Sequence, residues 1–250
     1  MPAEYVPRRR KKKHSILYGP TAFFLICIVI VLSMGVFFRV SSIEVAGESV
    51  YTDEEIMEAA GIEKGTNLFF INQSAAASRL LARMPYIETA SIKPRLPGRV
   101  VIEIKASEAL AYVSVESDRW LIDRNAKLLE KTDPATAEMY IQVIGLVPIA
   151  PAVGEKVAAG EAEATKVTFL AELLRGLETR DMIDEVADIE LTSMANPMFR
   201  YQDRFTVRMG SGEDVEHKLS LLLSAVAQLA PGDSGTIDLS AGNPVSFSQD

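Results

Sequence analysis

Side chains suited to catalytic or metal chemistry are scarce in this 250-residue sequence. The only cysteine, Cys27, lies in an apolar run, so no intramolecular disulfide is possible. After residue 38 the only histidine is His217, which falls on an apolar helical pattern with no second ligand candidate beside it. A zinc site needs three or four such ligands. The sequence therefore predicts no metal, no cofactor and no Cys–His nucleophile.

Carboxylates and serines are the remaining candidates for chemistry, and local structure accounts for most of them. Asp123 falls in a hairpin turn, where aspartate commonly accepts main-chain hydrogen bonds. Glu54 and Glu55 begin a helix, where acidic side chains complement the dipole. Gly210-Ser211-Gly212 precedes two acids that would repel an anion. No serine has the glycine context of a nucleophile elbow, although composition leaves a Ser/Lys dyad open. We predict no catalytic residues.

An uncharged run over residues 16–38 is the first element that positions the rest of the chain. As a helix it would span about 35 Å, against about 30 Å for the hydrocarbon core of a bilayer. A cleaved signal peptide would have a shorter apolar region ending in small residues, whereas this run ends in Phe37-Phe38-Arg39. We predict a retained transmembrane helix. A basic cluster precedes it: Arg8, Arg9, Arg10, Lys11, Lys12 and Lys13.

The charge distribution predicts how the chain crosses the membrane. The basic cluster is expected to keep residues 1–15 in the cytoplasm by the positive-inside rule, which makes the chain a single-pass type II protein. Residues 1–38 carry a net charge of +5, and residues 39–250 carry −13. Because an acidic body repels phosphate, nucleic acid is not an expected partner. The bilayer is the expected contact of the span.

Residues 40–107 follow the order strand, helix, helix, strand, strand. Thr52-x-x-Glu55 is a capping box, and Gly61 suits the left-handed position after a helix. Val100, Ile102 and Ile104 alternate with Val101, Glu103 and Lys105, as in a half-buried strand. The other signals are a strand run at Ser42–Val45, an apolar helical stripe of Ala77, Leu80, Leu81 and Met84, and a turn at Pro94–Gly98.

This module resembles a POTRA domain. The resemblance rests on Ile43-Glu44-Val45-x-Gly47, Gly65-Thr66-Asn67-Leu68-Phe69, Met84-Pro85-Tyr86-Ile87 and the run from Arg95 to Ile104. A short basic tail, one span and a POTRA domain directly after it resemble the FtsQ/DivIB family of bacterial cell-division proteins. Outer-membrane assembly factors also carry POTRA domains, but they continue into a β-barrel for which this chain is too short.

Residues 108–247 form a second predicted domain, followed by a tail at 248–250. Residues 107–250 carry a net charge of −12. Trp120–Asn125 and Lys127–Leu129 resemble a family hairpin, with Asn125 expected at a positive φ in place of the usual glycine. Two long helices are marked by Val167, Leu170, Ala171, Leu174 and Leu177, and by Val215, Leu219, Leu222, Val226 and Leu229. The predicted fold class is α+β: a transmembrane helix, a POTRA domain (βααββ) and a mixed-sheet α/β domain.

The family resemblance implies a non-enzymatic scaffold at the division septum. Such a protein would bind the small bitopic proteins FtsB/DivIC and FtsL, and would help recruit and regulate the septal peptidoglycan synthase complex. The alternative is a membrane-anchored cell-wall hydrolase or peptidase with an unrecognised carboxylate site. A ligand sensor is disfavoured because 15 cytoplasmic residues leave no room for an output domain.

The final strands, Thr236–Ser240 and Val245–Phe247, are the predicted partner surface. Both are expected at a sheet edge, where unpaired main-chain groups can receive a partner strand. Ile237 and Leu239 are expected to face the core. Phe247 matches an aromatic that the family uses in partner contact, or it closes the domain's own sheet, and Ala241 stands where the family has another such aromatic. The predicted partner-binding residues are Thr236, Asp238, Ser240, Val245 and Phe247.

Overall fold

The computed structural model describes residues 18–158, 160, 163–211, 213–241 and 245–249. Its first element is helix α1, Tyr18–Phe37, which is long and apolar enough to cross a membrane. At about 1.5 Å per residue, α1 is about 30 Å long. The basic cluster Arg8–Lys13 and the first two residues of the predicted span lie outside the described residues.

The POTRA module has the predicted order of elements. Its strands are β1 (Ser42–Ala46), β2 (Ile87–Arg95) and β3 (Arg99–Ala106), and its helices are α2 (Asp53–Ala60) and α3 (Gln73–Arg83). Strand β3 is central, parallel to β1 and antiparallel to β2. A 3-10 turn, Leu68–Phe70, separates the two helices. The βααββ prediction is confirmed.

Local sequence signals set these boundaries. Both hydrogen bonds of the Thr52–Glu55 capping box are present, and Gly61 ends α2 at φ 63° and ψ 39°. Asn72 caps α3 by accepting from the amide of Ala75 at 3.0 Å. Ala76 and Leu80 of α3 are fully buried and Met84 after it is buried, whereas Ala77 and Leu81 of the predicted stripe are half-buried.

The second domain is built on a nine-stranded mixed sheet. Its order is β12-β11-β10-β9-β8-β7-β4-β5-β6. The strands are β4 (Ala111–Val115), β5 (Asp118–Ile122), β6 (Leu128–Thr132), β7 (Ile141–Ile144), β8 (Val186–Glu190), β9 (Met198–Tyr201), β10 (Phe205–Arg208), β11 (Gly235–Asp238) and β12 (Ser246–Gln249). The helices are α4 (Pro134–Ala137), α5 (Ala164–Thr179) and α6 (Val215–Val226).

Helices α5 and α6 supply most of the core side chains that cover one face of this sheet. Leu170, Leu174 and Leu177 of α5 are fully buried, as predicted, whereas Val167 and Ala171 are half-buried. The two helices approach closely at Gly176, where a Cβ would lie 2.7 Å from Leu219. The fold class predicted from the sequence is confirmed: an apolar N-terminal helix, a βααββ module and a large mixed sheet with two long helices.

The hairpin between β5 and β6 differs from its prediction in one detail. Ala126, not Asn125, adopts the positive φ, of 56°. Asp123 fixes this turn because its Oδ1 accepts from the amides of Asn125 and Lys127 at 2.8 and 2.9 Å. The side-chain amide of Asn125 donates to Glu88 at 3.0 Å.

Glu88 belongs to an ion network that joins the POTRA domain to the second domain. Arg124 donates to both oxygens of Glu88, at 3.0 and 2.5 Å, and to Glu178 at 2.9 Å. Lys127 Nζ donates to the carbonyl of Ile87 at 2.8 Å. Burial alone would raise the pKa of Glu88, but hydrogen bonds from Arg124, Asn125 and Lys105 outweigh it and lower the pKa to about 2.

Candidate functional site

Strand β12 forms one edge of the nine-stranded sheet, beside β11. The prediction that both final strands lie at the edge is wrong for β11, which pairs in parallel with β10 and in antiparallel with β12. Thr236 and Asp238 are therefore in an interior strand, and Ser240 follows that strand. Of the predicted partner residues, only Phe247 lies within the edge strand, with Val245 just before it.

The main-chain groups of β12 alternate between β11 and the free edge. The amide of Gly235 donates to the carbonyl of Arg204 at 3.0 Å, and the amide of Leu239, directly after β11, donates to the carbonyl of Arg208 at 2.9 Å, so the main chains of both residues face β10. Residues 236 and 238 then face β12 and pair with residues 248 and 246. The amides and carbonyls of Phe247 and Gln249 consequently point away from β11, towards the sheet edge, where no strand of the described residues pairs with β12.

The side chain of Phe247 points the other way, towards the core. It lies opposite Ile237 in the β11–β12 register, is half-buried, and its ring meets Phe205 edge-on at 6.2 Å and 77°. Val245 also packs against the main core cluster. The prediction that Ile237 and Leu239 face the core is confirmed, since both are fully buried. Phe247 thus secures β12 with its ring and offers only its main chain to the edge.

The polar side chains beside this edge occupy the opposite face of the sheet. Thr236 and Asp238 are half-exposed, and Ser240, Ser246 and Ser248 are exposed. Hydrogen bonds from the side chain and amide of Ser240 lower the pKa of Asp238, so its carboxylate is charged at neutral pH. The predicted residues thus lie on two faces of the sheet. Thr236, Asp238 and Ser240 are on the polar face, and Val245 and Phe247 are on the face that packs against the core.

Gly235 allows β12 to approach β11 closely, a role that the sequence analysis did not identify. Its φ is +148°, and a Cβ there would lie 2.1 Å from the carbonyl oxygen of Ser248. L side chains rarely adopt that conformation, so only glycine permits this close approach. The glycine before the predicted Thr236 strand was the available signal, because an isolated glycine at a strand often marks close backbone approach.

The candidates for chemistry lie apart from this edge. Asp123 is 1% exposed and, besides its two amide bonds, accepts from the hydroxyl of Ser107 at 2.5 Å. His217 is exposed on α6. Within the described ranges, no cluster of three or more His, Cys, Asp or Glu residues is arranged to hold a metal ion. These positions give Asp123 a structural role in the β5–β6 turn.

Comparison with known proteins matches both the POTRA module and the whole chain. Residues 38–105 match the family model described as POTRA domain, FtsQ-type. The cell division protein DivIB of Clostridium tetani is 29% identical over 249 residues, covering 98% of this chain and 92% of the relative. DivIB of Geobacillus kaustophilus is 28% identical, covering 94% and 86% of the two chains.

A relative named FtsQ extends this similarity beyond the DivIB proteins. The cell division protein FtsQ of Corynebacterium glutamicum is 20% identical over 218 residues, covering 86% of this chain and 90% of the relative. The relatives are named for cell division and not for an enzymatic activity. Residues 38–105 thus match the FtsQ-type POTRA family model, and the predicted resemblance of the chain to the DivIB and FtsQ cell-division proteins is confirmed.

Proposed function

We propose that this protein is a non-enzymatic scaffold of the bacterial cell-division machinery. It binds FtsB/DivIC-like and FtsL-like bitopic proteins and, through them, helps recruit and regulate the septal peptidoglycan synthase complex. Similarity to DivIB proteins over nearly the whole chain supports the role in division. The proposed domains are a POTRA domain at 40–107 and a partner-binding domain at 108–249, which ends two residues after the predicted boundary because β12 continues to Gln249.

The free edge of β12 is the observation that carries the proposal. Phe247 and Gln249 present main-chain donors and acceptors along one line, and a partner strand can complete that ladder by β-augmentation. Main-chain pairing needs no charge complementarity, which suits an acidic region: residues 107–250 carry a net charge of −12. Ser246 and Ser248, on the exposed face, lie where side chains of an added strand would pass.

The proposed topology places the binding domain outside the cytoplasm. Helix α1 spans the membrane once, with residues 1–15 and the basic cluster Arg8–Lys13 on the cytoplasmic side. The rest of the chain then lies on the outer face at the septum. Bitopic partners with extracytoplasmic segments can reach β12 from the same membrane surface.

Purification of the intact protein from detergent-solubilised membranes tests this function. We expect two small single-span chains to copurify with the wild type and to be identified by mass spectrometry. Absence of both from a folded, membrane-inserted preparation would contradict the scaffold proposal. Cell-wall cleavage by the purified protein, lost on substitution of one carboxylate in a folded variant, would support the hydrolase alternative.

A further inference from the structure

Three exposed apolar side chains lie at the end of the POTRA domain that adjoins α1. Phe70 is 84% exposed, Leu96 66% and Phe69 54%. The two phenylalanines belong to the 3-10 turn Leu68–Phe70, and Leu96 lies at the tip of the β2–β3 hairpin. We refer to Phe69, Phe70 and Leu96 as the membrane-proximal patch.

The turn that carries both phenylalanines is fixed against the last turn of α1. The side-chain amide of Asn67 donates to the carbonyl of Met34 at 3.0 Å. The amide of Leu68 donates to the carbonyl of Phe38 at 2.8 Å, and the rings of Phe38 and Phe69 meet edge-on at 5.2 Å. Phe69 and Phe70 are therefore held close to the C-terminal end of the apolar helix.

The hairpin tip is held at the same level by separate contacts. The carbonyl of Gly98 accepts from the amide of Ser41 at 2.7 Å and from its hydroxyl at 2.9 Å. A Cβ at Gly98 would lie 2.7 Å from the carbonyl oxygen of Arg39, so glycine allows this close packing. Leu96 is thus kept near the residues that directly follow α1.

The length of α1 sets the depth of these contacts. Its 20 residues span about 30 Å, the thickness of the hydrocarbon core, so its last turn reaches the boundary with the headgroups. Exposed cations lie at this level: Arg39 follows the helix, Arg95 flanks the hairpin tip, and Lys64 precedes the turn beside the acidic Glu63. Cations at this depth can contact headgroup phosphates while apolar side chains insert below them.

We propose that the membrane-proximal patch inserts into the outer interfacial layer of the bilayer and holds the POTRA domain on the membrane surface. The proposal rests on the membrane span of the proposed function and is independent of any partner at β12. The occupant is lipid, because the patch lies directly beside the end of the apolar helix α1. The contacts that hold it there leave the side chains of Phe69, Phe70 and Leu96 exposed. The POTRA domain then has a fixed orientation relative to the membrane and does not rotate freely about the residues that join α1 to β1.

Quenching of tryptophan fluorescence by brominated acyl chains tests the insertion. Phe70→Trp and Val50→Trp are compared in the full chain, reconstituted without other proteins in vesicles of phosphatidylethanolamine and phosphatidylglycerol. Val50 is 73% exposed and follows β1, whose five residues extend about 17 Å from the strand's α1-proximal end. The buried Trp120 contributes equally to both variants.

We expect the added tryptophan at position 70 to be quenched roughly threefold more than the one at position 50. Phe69→Trp should behave like Phe70→Trp and serves if the latter misfolds. Equal, weak quenching at positions 50, 69 and 70 would overturn the proposal. Leu25→Trp, within α1, separates the two failures: if it is quenched the span stands and only the patch is refuted, whereas if it is not quenched both are refuted.

Discussion

Truncation after Gly242 should lower the affinity for the DivIC-like partner by about 100-fold, because it removes the whole of β12 and its outward hydrogen-bonding groups. Each tenfold loss of affinity corresponds to about 1.4 kcal/mol. Loss of two or three main-chain hydrogen bonds, at about 1 kcal/mol each, therefore accounts for the two tenfold steps of a 100-fold loss. The POTRA domain and most of the second domain should stay folded. Isothermal titration with the full chain and the truncated chain in the same detergent measures the change.

A pair of glycine substitutions controls for side effects of the truncation. Gly235→Ala should displace β12 without deleting it, since a Cβ would clash with Ser248 O, whereas Gly232→Ala has no atom within 4 Å of the new Cβ. We expect Gly235→Ala to weaken partner binding about tenfold or more and Gly232→Ala to leave it unchanged. Wild-type affinity in both the truncated chain and Gly235→Ala would move the binding surface to the POTRA domain.

Arg124→Ala should destabilise the chain by about 2 kcal/mol, because it leaves the half-buried Glu88 and Glu178 without their shared cation. The side chains of Glu88 and Arg124 are only 15% and 25% exposed, so water compensates little for the loss. Urea unfolding of the full chain in detergent, followed by Trp120 fluorescence, should show a lower midpoint with an unchanged slope.

Arg200→Ala is the matched control for this prediction. Arg200 also pairs with a carboxylate, that of Asp188, but its own side chain is 58% exposed, so we expect a loss below about 0.5 kcal/mol. The difference between the variants should also depend on pH. Because the folded-state pKa of Glu88 is depressed, its stabilisation is present above pH 4.5 and is lost as pH falls towards 2. Equal losses for the two variants would show that the junction contributes no more than a surface pair.

Features determined by neighbouring residues could be predicted from the sequence. The capping box at Thr52, the left-handed Gly61 and the alternation in β3 depend on side chains a few positions apart, and all three were correct. The prediction for Asn125 was wrong by one residue, because Asp123 accepts two amides and thereby shifts the left-handed position to Ala126. The partner that Asn125 binds instead, Glu88, lies 37 residues away.

The candidate site could be predicted only in part, because strand order is a long-range property. Alternation placed Ile237 and Leu239 in the core, but nothing near Thr236 reveals that β10 and β12 flank its strand. The inward direction of Phe247 likewise depends on its register with Ile237 and on Phe205, 42 residues earlier. The free edge became identifiable only from these pairings.

Amide hydrogen exchange at single-residue resolution, with and without the DivIC-like partner, tests the proposed edge most directly. In the free protein the amides of Phe247 and Gln249 should exchange quickly, whereas those of Ser246 and Ser248, which face β11, should be protected. Saturating partner should slow exchange at Phe247 and Gln249 by about 100-fold or more and change Ser246 and Ser248 little. Unchanged exchange at Phe247 and Gln249 in a complex of full affinity would contradict main-chain pairing at β12.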